Sequence, residues 1–106
     1  MKKVFKRDSA MANILAMQGT TIKATAKISR TSKKKGYLNI LLEDVEFTAF
    51  NNIQVMDHVW LQERDALKEM YNMIGEEVKV IFKFYQYRDA IDRNMCGITI
   101  LRILSK

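Results

Sequence analysis

Between Glu77 and Arg88 the chain alternates with period two. Val78, Val80, Phe82 and Phe84 fall on one side of an extended backbone, and Lys79, Ile81, Lys83, Tyr85 and Tyr87 fall on the other. A helix would scatter those apolar residues around its axis, so this segment has to be a strand with one buried face. A lone strand is not stable, and the rest of the chain must supply its partners.

The partners are legible. From Thr20 to Arg30, Ile22, Ala24, Ala26 and Ile28 alternate with Thr21, Lys23, Thr25, Lys27 and Ser29, which reads as a half-buried strand with a basic, hydroxyl-rich outer face. Arg30 to Gly36 reads as a charged turn, and Tyr37 to Leu42 resumes as a strand, so the two form a hairpin. Glu43 to Phe50 keeps strand character through Val45 and Phe47, Asn51-Asn52 marks a turn, and Ile53 to Leu61 is a third strand. From Gln62 to Ile74 the spacing of Leu67, Met70, Tyr71 and Ile74 predicts a helix, stopped by Gly75. After the Glu77–Arg88 strand, Asp89 to Asn94 is a polar turn and Gly97 to Leu104 a final strand. Near the N-terminus, Asp8 and Ser9 resemble a helix cap, and Ala10 to Gln18 reads as a short helix ending at Gly19.

The expected fold class is therefore mostly β. It is a five-stranded barrel resembling the oligonucleotide/oligosaccharide-binding (OB) fold, with one helix between strands three and four and a short extra N-terminal helix. An α+β sheet with one covering helix would present the same order. Residues 1–18 form a basic N-terminal segment and residues 19–106 a single OB-like domain. The chain has 106 residues, 48% of them hydrophobic, no proline and four glycines, which suits one globular domain without a flexible linker. No apolar run reaches the roughly 18–20 residues that cross a bilayer. Lys6, Arg7 and Asp8 interrupt any signal-peptide pattern. The lone cysteine, Cys96, agrees with a reducing compartment, so a cytoplasmic, membrane-free location is expected.

Charge points to the partner. Ten Lys/Arg and one acid lie between Met1 and Lys35, against eight and eleven in the remainder. So concentrated a positive field attracts polyanions. Binding a single strand needs cations for phosphates and flat rings for bases. The expected phosphate contacts are Lys23, Lys27, Arg30, Lys33, Lys34 and Lys35, with Lys79 and Lys83 beside them, and the expected stacking rings are Tyr37, Tyr85 and Tyr87. Each ring also has an ordinary structural reading, because aromatic residues favour strands. Trp60 reads as a core or edge anchor, or as part of a stacking surface with His58, with which it shares a strand face.

Catalysis is not expected. His58 is the one histidine, and its neighbour Asp57 would point to the opposite strand face. Glu43, Asp44 and Glu46 read as a solvated face, Cys96 has no activating partner in sequence, and no phosphate loop or nucleophile elbow is present. No cofactor or metal is expected.

The segments Leu41-Leu42-Glu43-Asp44-Val45, Asp57-His58-Val59-Trp60-Leu61, Gly75 and Phe84-Tyr85-Gln86-Tyr87-Arg88 together resemble small OB-fold nucleic-acid-binding proteins of phages and mobile genetic elements. The resemblance spans roughly residues 20–104. It implies single-stranded DNA binding in replication or recombination. Asp89 and Asp92, where a Lys/Gly-rich turn is common, and the added N-terminal helix depart from the pattern. The alternative is a protein-interaction module, an accessory subunit or inhibitor of a larger nucleic-acid enzyme engaged through the N-terminal helix. Homo-oligomer formation is left open.

Overall fold

A computed structural model describes residues 2–5, 19–49, 52–88 and 94–106, with side chains at 19–48, 53–85 and 97–106. Six strands form one sheet: β1 (Lys2–Phe5), β2 (Thr21–Lys34), β3 (Tyr37–Ala49), β4 (Asn52–Leu61), β5 (Glu77–Arg88) and β6 (Asn94–Ser105). Their order across the sheet is β1-β4-β3-β2-β5-β6. Every pairing from β4 to β6 is antiparallel, and β1 adds to β4 in parallel. The β1 strand was not expected from sequence, and the expected helix at Ala10–Gln18 lies outside the described residues.

The centre of the sheet is β2, which follows its alternation. Ile22, Ala24, Ala26 and Ile28 are buried. Ala24 pairs with Phe47 on one side and Val80 on the other, and Ile22 pairs with Phe82. Because Ala24 and Ala26 are small, large rings from the flanking strands meet above them. Phe47 contacts Phe82 and Phe84 with centroids 5.8 and 5.9 Å apart, and Phe82 contacts Phe84 at 5.1 Å, all edge to face.

The alternation then changes phase. The core-facing residue after Leu42 is Val45, and the one before Val59 is Met56, three positions rather than two in each case. Asp44, at the step in β3, has φ +52°, a left-handed conformation that Asp tolerates better than most residues. In β2 the pairing slips between Ile28 and Arg30, which moves Thr31 to the core side. Extra residues of this kind bend a strand and increase its twist. The sheet curls until β4 and β6 approach each other. No ladder joins these two strands among the described residues, so the sheet is open at that seam and not the hydrogen-bonded barrel expected from sequence.

Two other expectations need correction. Gln62–Ile74 is not a helix. It holds two short 3₁₀ turns, Glu63–Asp65 and Lys68–Asn72, separated by extended backbone at Ala66 and Leu67. Three-dimensional anchors override the helical spacing, since a helix of this length is marginal by itself. The Asp65 carboxylate is held by Tyr85 and Thr99, Met70 is fully buried, and the Tyr71 hydroxyl donates to the Leu38 carbonyl. The segment returns to β2 through hydrogen bonds from Gly75 N–H to the Ile28 carbonyl and from Ile28 N–H to the Glu76 carbonyl. Secondly, Arg30 to Lys34 is strand, and the turn is Lys35-Gly36 alone. Both residues have positive φ, +52° and +84°, the geometry of a two-residue type I′ hairpin that follows strand twist.

The meeting of rings above Ala24 makes a testable demand. Ala24→Leu inserts volume where Phe47 and Phe82 already touch, and is expected to cost about 1–3 kcal/mol. Phe82→Ala is expected to cost about 3–5 kcal/mol. Urea unfolding measures both, and an Ala24→Leu protein as stable as the wild type would contradict this packing.

Candidate functional site

The side chains that could meet a ligand sit on the outer face of the curled sheet, and register places them. Arg30 is opposite Leu41, and Leu41 is opposite Trp60, so all three project to the same side. The Arg30 guanidinium carbon lies 5.7 Å from the Trp60 ring centre, within cation–π range. Leu41, in register between them, is buried although it faces outward. Two positions further along each strand the same face carries Ser32 with Asn39, then Lys34 with Tyr37. Tyr37 is 61% exposed and Trp60 37%.

Ser32, Lys34, Tyr37, Asn39 and Trp60 border an open groove of about 880 Å³, with Lys35 at its hairpin end. Gln62, Glu63 and Arg64 supply the facing wall. That wall is clamped to the first residues of β3 through both backbone groups of Leu38. Its N–H donates to Glu63 Oε1 at 3.3 Å, and its carbonyl accepts from the Tyr71 hydroxyl at 2.7 Å. Burial, and secondarily the Glu63 charge, raise the Tyr71 phenol above its ordinary range.

A second basic area lies where β2 meets β5. Thr21 pairs with Lys83, Lys23 with Ile81, and Thr25 with Lys79, while Arg102 of β6 joins beside Ile81. The four cations of this area, Lys23, Lys79, Lys83 and Arg102, are exposed. Lys27 stands in register between Glu77 and Glu43, so carboxylates partly offset its charge. Lys33 is exposed at the end of β2, one residue from Lys34 and therefore on the other side of the strand.

Of the expected rings, Tyr37 faces the groove and Tyr85 does not stand free of its surroundings. The Tyr85 ring lies over Gly97, its cross-strand partner, where an added Cβ would come within 2.5 Å of ring carbon. Its hydroxyl donates to Asp65 Oδ2 at 2.5 Å, and Thr99 donates to Oδ1 at 3.0 Å. The backbone of Tyr87 pairs with Met95, and its side chain lies outside the described residues. His58 and Asp57 form an exposed pair, Nδ1 to Oδ2 at 3.2 Å. Among the described residues no group of three His, Cys, Asp or Glu side chains is placed to hold a metal ion.

Sequence reasoning missed Ser32, Asn39, Gln62, Glu63 and Arg64 as groove residues and left Trp60 between two roles. The parity of Trp60 on its strand was visible. Its pairing with Arg30 was not, since that depends on register across three strands. Comparison with protein-family models, curated proteins and solved structures finds no match.

Tyr85 also sets a pH dependence. Burial, then the hydrogen bond and charge of Asp65, push its phenol up to about 12 from 10.0. The fold therefore favours the protonated phenol, a contribution complete below pH 10 and lost as pH rises through about 12. Tyr85→Phe leaves buried Asp65 short of a donor and is expected to cost roughly 1–3 kcal/mol at neutral pH. It is also expected to lose less additional stability than the wild type between those two values. Urea unfolding across the range measures this, and parallel losses in both proteins would contradict the assignment.

Proposed function

We propose that this chain binds single-stranded nucleic acid, single-stranded DNA foremost, in replication or recombination of a phage or mobile element. The observation that carries the reading is Trp60, with Arg30 against its ring, bordering one basic groove together with Tyr37, Lys34, Lys35 and Arg64. Rings and cations are the two things a single strand needs, and here they border the same space. Trp60 and Tyr37 stack on bases. Lys34, Lys35 and Arg64 neutralise phosphates around them, and Lys23, Lys79 and Lys83 continue the path over β2 and β5. Arg30 holds Trp60, Tyr85 braces the groove wall through Asp65, and no catalytic step belongs to this reading.

In the same reading the fold is OB-like. The strand order β4-β3-β2-β5-β6, with β4 and β6 approaching at the unladdered seam, supports this, since β2 pairs on both sides as the first strand of such a fold would. The hairpin between the first two barrel strands then lies beside the ligand path, as in OB-folds generally.

A second reading, the protein-interaction module, draws on one observation. Leu101 and Leu104 are exposed on β6, the last strand of the sheet, and such an edge can accept another chain.

Fluorescence anisotropy of a labelled mixed-sequence oligonucleotide, single-stranded beside double-stranded, separates the two. Preference for the single strand that weakens steeply with salt is expected. Trp60→Ala and Tyr37→Ala are each expected to cost about 1–3 kcal/mol, roughly 5- to 150-fold in Kd. Absence of single-strand binding at low salt would overturn the proposal in favour of a protein partner.

A further inference from the structure

The groove contains one group that a polyanion site should avoid. Among its lining residues Glu63 is the carboxylate, set among Lys34, Lys35 and Arg64. It is not loose: Oε1 accepts the Leu38 N–H at 3.3 Å, which ties the side chain to the start of β3. The side-chain amides of Asn39 and Gln62 border the same groove, as do the Trp60 and Tyr37 rings. A carboxylate repels phosphate, so the position beside Glu63 suits a base edge and not the backbone of a strand.

An ionised carboxylate is an acceptor only, with lone pairs to spare after one hydrogen bond. Cytosine offers it the N4 amino group, adenine the N6 amino group, and guanine two adjacent donors. Uracil and thymine offer a single N3–H flanked by two carbonyl oxygens, which a carboxylate repels. The amides of Asn39 and Gln62 both donate and accept, so they can serve the rest of any such edge.

We infer that Glu63 is a specificity-determining residue that selects bases carrying an exocyclic amino group over uracil and thymine. This inference rests on the groove being a single-strand site and goes beyond it, because stacking and phosphate contact alone tolerate any base.

The test compares oligo(dC) with oligo(dU) of equal length in the anisotropy assay. These bases are close in size and carry no methyl group, and they differ in the donor pattern that Glu63 would read. Wild-type protein is expected to bind oligo(dC) about tenfold more tightly, toward the lower end of what one well-made base contact discriminates. In Glu63→Gln the side chain both donates and accepts, and the ratio is expected to fall close to one, mainly through tighter binding of oligo(dU). Equal affinities in the wild type, or tighter binding of oligo(dU), would overturn the inference while leaving single-strand binding intact. A Glu63→Gln protein that keeps the wild-type ratio would overturn the assignment to Glu63, whatever happens to overall affinity. Binding of neither oligonucleotide would overturn the single-strand reading and this inference with it.

Discussion

The contact of Phe47 with Phe82 and Phe84 across β2 governs the shape of the molecule. These rings belong to strands on either side of β2, and in a flat sheet such strands lie about 10 Å apart. Their centroids are 5.8 and 5.9 Å apart. The rings meet because Ala24 and Ala26 leave the space above β2 empty and because the sheet curls toward its apolar face. Larger residues at those positions would hold the rings apart. The curl also lets Met70, brought in by the connection after β4, reach the same core.

The curl shapes the outer face as much as the inner one. Phase changes at Ile28–Thr31, Leu42–Val45 and Met56–Val59 turn three neighbouring strands together. Beyond them, the hairpin closed by Lys35-Gly36 stands against the segment 62–64, and the groove opens between them. Its wall is positioned by polar anchors. Leu38 is gripped at both backbone groups, and buried Asp65 receives two hydroxyl donors. Buried acceptors satisfied in this way keep a short irregular segment in one place, which a groove lined by long cationic side chains requires.

The sequence displayed the parts of this arrangement that depend on local pattern. Alternation at 21–28 and 77–88 marked two central strands and their buried faces, and Ala24, Phe82 and Phe84 could be assigned to the core directly. The basic hairpin was equally visible, although Arg30 to Lys34 read as turn because charge and strand propensity point in opposite directions there. What stayed hidden depends on partners. The phase changes arise where β2 and β3 slip past each other by a residue, with β4 following β3 in step, and a single strand's pattern does not reveal that. Leu67, Met70, Tyr71 and Ile74 have helical spacing, yet Asp65, Met70 and Tyr71 are claimed by separate tertiary anchors that a continuous helix would not satisfy. The Arg30–Trp60 pair joins residues far apart in the chain and follows from the registers of β2 with β3 and β3 with β4. Tyr85 had the parity of an outward ring, and nothing local showed that Gly97 and Asp65 would hold it.

Trp60 is the one tryptophan of the chain, and its partly exposed ring borders the groove. Its intrinsic fluorescence therefore reports on the site without a label. Titration with an unlabelled single-stranded oligonucleotide should quench that emission saturably, since a base stacked on indole provides an efficient quenching path, and added salt should reverse it. Emission that stays unchanged while the oligonucleotide binds would show that the strand runs elsewhere and would contradict the assignment of the groove.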